Sequence, residues 1–416
     1  MTSHWRLQRV LEAPHRLAFF CALWVMLFSG VWWALVQLDR LGLGWGLAYS
    51  MSPTLTHSTL MTLGFMPLLF VGFLFTAGPK WLGVRPLPAT QLLTPLALQV
   101  VGWALWTLGG HAGALVALTG AVLAWSGLVW VQLLFLRLLS QSLVPDRMHV
   151  QMIVGAGVVG IVSLGGLLIC LLRNAPELAR LWLLTALWGY VVATFVVVAH
   201  RMLPFFTASA IPGQQIWRPG WLVLLLLSVI GVELLLPWLE WWGTGRDSGA
   251  HAWMLTRGLL ELAMGSVLVW LAFVWGLVKS VRIRLLAMLH IGFVWLGLAI
   301  VLAGLSQLLG FRSGVPFLGL GPLHALTMGF LGSITLAMVT RVSSGHSGRP
   351  LQVDNLVWVA FWALQVAVVL RVAAALSVSA GWVLLWAALL WLFAILAWGL
   401  PLLGWYIRPR ADGQAG

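Results

Sequence analysis

Leu17–Leu38 reads LAFFCALWVMLFSGVWWALVQL, with no charged side chain and with Ser29 and Gln37 as its only strongly polar ones. Roughly 20 predominantly apolar residues, rising about 1.5 Å each in a helix, cross about 30 Å of hydrocarbon. This run is therefore long enough to span a bilayer. Working outward, comparable runs follow at 54–78, 90–108, 113–136, 150–172, 181–199, 220–239, 253–278, 285–309, 322–340, 356–376 and 381–404. Over the whole chain 61% of residues are hydrophobic and 8% charged, with a mean hydropathy of +1.00, too little charge to coat a soluble core. The expected fold is an all-α polytopic integral membrane protein of about 12 transmembrane helices. The longest linkers, 39–53, 200–219 and 240–252, are too short to bury a core of their own, so residues 1–416 read as a single transmembrane domain.

The formal charge of +13 comes from 23 Lys and Arg against 10 Asp and Glu. The basic residues scatter over linkers instead of forming a stripe or an aromatic-interleaved patch. That distribution argues against nucleic acid as a partner and leaves the lipid bilayer. With the N-terminus inside, most of them fall on the inner side, Arg6, Arg9, Arg16, Lys80, Arg85, Arg137, Arg147, Arg201 and Arg218 among them. This asymmetry places both termini in the cytoplasm and the loop holding Arg246 and Asp247 outside. The 28 Trp against three Tyr suit helix ends at the headgroup level. Leu17–Leu38 is too long for a signal-peptide core and lacks a small-residue cleavage site, so it reads as a retained first span. Cys21 and Cys170 lie inside apolar runs without CxxC spacing, giving neither a disulfide framework nor a thiolate metal site. Gly-rich phosphate loops, HExxH and GxSxG are absent, which argues against soluble-type hydrolases and nucleotide-driven pumps.

A strongly polar side chain inside a span is costly unless it faces a partner or a cavity, so each is a functional candidate. His57 opens the second span after Ser52 and Pro53, and His324 opens the tenth after Pro322. Both spans run from outside to inside, which sets the two imidazoles at one outer depth. Brought together they would clamp a heme iron from opposite faces or join a metal shell; otherwise each ring meets headgroups or caps its helix. Glu233 in the seventh span and Glu261 in the eighth share that outer half, with Arg257 one turn before Glu261 as its partner. A structural ion pair and a proton-handling or ligand-positioning group both fit them. Toward the cytoplasm, His290 lies deepest, while His149 begins the fifth span, His200 ends the sixth and His346 follows the tenth. His4, His15, His111 and His251 fall in tails or loops. The order His57, Met61, Gly83, Arg85, Pro86, Leu87 is repeated as His324, Met328, Gly348, Arg349, Pro350, Leu351, a pattern that an internal duplication would leave.

The segment Leu323-His324-Ala-Leu-Thr-Met-Gly329, continuing through Thr335–Arg341 to Gly345–Leu351, closely resembles the signature of the NnrS family. Similar stretches occur at His57–Lys80, at Arg201-Met-Leu-Pro-Phe-Phe-Thr207 and at Leu289–Trp295. The resemblance implies a 12-helix bacterial inner-membrane protein that contains heme and copper and takes part in the response to nitric oxide. A small gaseous ligand such as nitric oxide and an electron donor would be its partners. A weaker similarity, His57 with Met61 on the second helix and His324 on the tenth, links the chain to heme-copper oxidase catalytic subunits. Two departures count against copper. Thr59 and Leu60 stand where the family's second histidine and its Glu would be, and the seventh span has no histidine. The candidate set is then His57, His324, His290 and Met61 for the cofactor, the first two as metal ligands, with Glu233, Glu261, Arg257, Arg341 and His346 beside them. The contrasting expectation is a cofactor-free transporter in which Glu233, Glu261 and His290 line a polar path.

Overall fold

The computed structural model describes residues 6–243, 250–377 and 380–414. Twelve helices among them are long and apolar enough to cross a membrane: α1 (Pro14–Arg40), α2 (Pro53–Leu82), α3 (Thr90–Ala112), α4 (Ala114–Ser140), α5 (Met148–Leu172), α6 (Pro176–Ala210), α7 (Gly220–Trp241), α8 (Ala250–Val274), α9 (Arg284–Gly310), α10 (Gly321–His346), α11 (Asn355–Leu376) and α12 (Gly381–Tyr406). No β-strand occurs among the described residues. Residues 244–249, with Arg246 and Asp247, lie outside them.

Every expected span is present, and the helix ends correct several residue assignments. Helix α6 continues through Pro204 to Ala210, so His200 is inside the helix and not at its end. Helix α10 includes His346 as its last residue, and α1 starts early enough to make His15 helical and buried, not part of a tail. His111 belongs to the last turn of α3 and His251 to the first turn of α8. The starts follow local chemistry. Pro14, Pro53, Pro176 and Pro322 occupy the first turns, where a missing N–H is no loss and φ is already helical. Ser52 Oγ accepts from the Leu55 amide at 3.4 Å, and Asp354 Oδ1 from the Val357 amide at 2.8 Å. Helix α2 ends at Gly83, whose φ of 63° suits a residue without Cβ.

Two compact units emerge. The first comprises Met1–Val197, Val342–Pro350 and Gly399–Gly416, the second Val198–Arg341 and Leu351–Trp398. In the first, α3 and α4 meet backbone to backbone: a Cβ on Gly102 would lie 2.5 Å from the Gly120 carbonyl oxygen, and one on Gly120 would lie 2.4 Å from that of Gly102. In the second, α8 and α9 do the same at Gly265 and Gly297. Lipid gives apolar helices no reason to associate by hydrophobicity, so such close approach is what holds them.

Along the chain the helices follow a period of four. The second helix of each set, α2, α6 and α10, is the most buried, with 78%, 78% and 72% of an 18-residue apolar stretch inside the protein. The fourth, α4, α8 and α12, is the least, at 39%, 33% and 33%. The same three buried helices each contain a wide π segment, Leu60–Gly64 in α2, Leu187–Val192 in α6 and Ala325–Gly332 in α10. The likeness between the second and tenth spans is thus joined by the sixth in backbone geometry. Single-turn π segments recur at functional sites because they displace side chains from the regular helical stripe.

Candidate functional site

In the first unit, His57 is half-buried near the start of α2, its ring stacked on Trp33 of α1 with centroids 3.7 Å apart and planes 12° off parallel. The Arg40 guanidinium lies 5.0 Å from the same indole, a cation–π contact that helps fix it. Met61, one turn beyond His57, falls within the first π segment. The connection 41–52 folds back over this end of the unit. Asp39 Oδ1 accepts from the Gly46 and Leu47 amides at 2.8 and 3.1 Å. His111 accepts from Trp32 Nε1 at 2.9 Å through Nε2 and donates from Nδ1 to the Ala48 carbonyl at 2.8 Å. His111 is therefore a structural clasp with a defined tautomer. Burial, and then the Asp39 carboxylate, push the Tyr49 phenol above its ordinary range.

At the other end of this unit, His15 and His346 face each other with ring centroids 4.6 Å apart. Beside them, buried Arg16 pairs with Glu12 at 3.0 Å and donates to the Arg408 carbonyl at 3.1 Å. His346 thus joins a basic, inter-helical pair that spacing along the chain does not announce.

In the second unit, His324 is half-buried at the start of α10, and its Nδ1 donates to the Leu320 carbonyl at 2.9 Å. That bond fixes the tautomer and leaves Nε2 with its lone pair, the state a metal-binding imidazole needs. Met328 follows in the π segment. His290, fully buried in α9, uses its Nε2 on Thr207 Oγ1 at 2.9 Å. Since the Thr207 hydroxyl itself donates to the Leu203 carbonyl at 2.9 Å, His290 is the donor, and only its Nδ1, which has no hydrogen-bond partner, remains for a ligand. Arg341 lies over the Phe206 ring at 3.8 Å, on the same helix as Thr207.

The same unit holds the carboxylates. Arg257 Nε donates to Glu261 Oε1 at 2.7 Å, and Arg257 also pairs with Glu240. Trp253 Nε1 donates to Glu240 Oε1 at 3.1 Å. Glu261 is 0% exposed and Glu233 5%. Glu240 was not among the sequence candidates, although its spacing of seven from Glu233 puts both on one helix face. Thr207 and Trp33 were missed as well, because each reaches its histidine from another helix, α6 to α9 and α1 to α2.

These features define a polytopic helical membrane protein whose second and tenth helices each bear a histidine just ahead of a π segment. The family model described as NnrS protein matches residues 9–410, and the chain belongs to that family. Membership makes it a membrane protein related to the nitric oxide response. No curated protein matches the chain.

Proposed function

We propose that the protein is a heme-binding protein of the bacterial inner membrane with a redox or nitric oxide-response role, and that His324 and His57 each supply an iron ligand. The observation that carries this reading is the fixed tautomer of His324, whose Nε2 lone pair is left over once Nδ1 has bonded Leu320. Heme, when bound, would supply an iron able to change oxidation state and to take a small ligand such as nitric oxide. The chain's own work is to hold the imidazoles still. Leu320 does so for His324, and the Trp33 face limits ring rotation of His57. Met61 and Met328, one turn further along in the π segments, would offer apolar side chains to the group. The donor set does not fit copper: among the described residues no three His, Cys, Asp or Glu side chains gather as a metal shell, and Thr59 and Leu60 stand at the family's other ligand positions. No step is assigned to that metal.

The test is a reduced-minus-oxidised absorption spectrum of the purified full-length protein in detergent. Heme bands are expected in the wild type, and His324→Ala or His57→Ala should lose heme or turn the spectrum high-spin. His149→Ala should leave it intact. A colourless protein from heme-sufficient cells would refute the reading and leave the cofactor-free transporter.

A further inference from the structure

Glu233, Glu240, Arg257 and Glu261 form a group whose charges do not balance. Glu233 and Glu240 are two turns apart on α7, which places Glu233 about 10 Å deeper at about 1.5 Å per residue. Arg257 and Glu261 are one turn apart on α8. Among the described residues the charged groups that face Glu233 are Glu261, Arg257 and Glu240, so there a single cation serves three carboxyl groups. Glu240 sits at the rim, its side chain 38% exposed, and shares Arg257 with fully buried Glu261. Glu233 has no share in the guanidinium, and its Oε1 has no hydrogen-bond partner. Glu261 Oε2 is likewise buried and without a partner. Two unpaired carboxyl oxygens therefore remain at membrane depth, after every bond that Arg257 makes.

We propose that Glu233 and Glu261 form an intramembrane proton site, in which Glu233 carries an exchangeable proton at neutral pH and Glu261 is the ionised partner of Arg257. Two adjacent carboxylates cannot both ionise at such depth. A protonated Glu233 supplies the donor that the unpaired carboxyl oxygens lack and reduces the excess negative charge to that of rim-exposed Glu240. A divalent cation is a poor alternative, since these carboxylates do not form a metal-holding group. The site does not depend on heme being bound.

Infrared spectroscopy of the full-length protein in lipid vesicles decides the matter. The chain has only 10 Asp and Glu, so the carbonyl region of protonated carboxylic acids is sparse. At pH 7.5 one such band is expected, shifting on transfer to deuterium oxide, lost in Glu233→Gln and retained in Glu240→Gln. A wild type without the band, or a band that survives Glu233→Gln, overturns the proposal. So does a band abolished by sodium but not by potassium, which would make the ligand a sodium ion. Should Glu233→Gln not fold, titration of the wild-type band still decides: loss below pH 7 overturns the proposal, and persistence to pH 7.5 supports it.

Discussion

Replacing Arg257 by Leu removes, among the described residues, the only cation beside Glu233, Glu240 and Glu261 and leaves a fully buried carboxylate without its partner. The two bonds lost are unequal. The one to Glu240 lies at an exposed rim, where an ion pair contributes about 0–1 kcal/mol. The one to Glu261, at 2.7 Å with an acceptor 0% exposed, belongs to the class whose breakage costs about 3–5 kcal/mol, most of it the stranded charge. The expected destabilisation of Arg257→Leu is therefore about 3–5 kcal/mol, carried almost wholly by Glu261. If so, Arg257→Leu combined with Glu261→Leu should recover at least about 2 kcal/mol, because the double variant strands nothing. Adding Glu240→Leu to Arg257→Leu should recover little. Denaturant titration in mixed micelles, followed by tryptophan fluorescence, would measure the cycle. Equal stabilities for the Arg257 single variant and its double with Glu261 would refute the assignment of the energy to the buried pair.

Further outcomes follow from other contacts. Thr207→Val should destabilise by about 1–3 kcal/mol by leaving the buried His290 Nε2–H without an acceptor, and Thr207→Ser should be nearly neutral in the same titration. Gly102→Leu should cost at least about 1–3 kcal/mol, since its side chain would enter the Gly120 carbonyl and the Ala124 backbone at 2.5 and 2.6 Å; thermal aggregation of the solubilised protein would show it. A periplasm-active reporter fused after Gly416 should be silent, as the basic asymmetry requires of a cytoplasmic C-terminus. An active fusion would reverse the orientation.

Hydropathy located the helices because a long unbroken apolar run can satisfy its backbone in lipid only as a helix, a closed barrel needing short alternating strands instead. It failed at their ends for stated reasons. The apolar run of the sixth span ends at residue 199, yet α6 continues through Pro204 to Ala210, as membrane helices do when neighbouring groups re-satisfy the freed carbonyl. His15 looked like part of a basic tail because Arg6, Arg9 and Arg16 surround it, but Pro14 starts the helix before it. The pairing of Arg257 with Glu261 was legible, being one helical turn. The partnership of Glu240 with both, of His15 with His346 and of His290 with Thr207 depends on which helices meet, and an apolar chain with little amphipathic bias does not encode that in its periodicity. The π segments were invisible for a different reason: an extra residue in one turn changes neither composition nor hydropathy.

Those wide turns bear on how the histidine positions are set. A residue in a regular helix is rotated by about 100° from its neighbour, and a π turn absorbs one additional residue before the regular ladder resumes. The N-terminal segments of α2 and α10, with His57 and His324, are thereby set in azimuth independently of the packed segments that follow them. Were Leu60–Gly64 to tighten to a uniform α-helix with every residue retained, His57 would swing by about 100° about the α2 axis, off the Trp33 face, whereas deleting one residue from the segment would remove the π turn and leave His57 where it is.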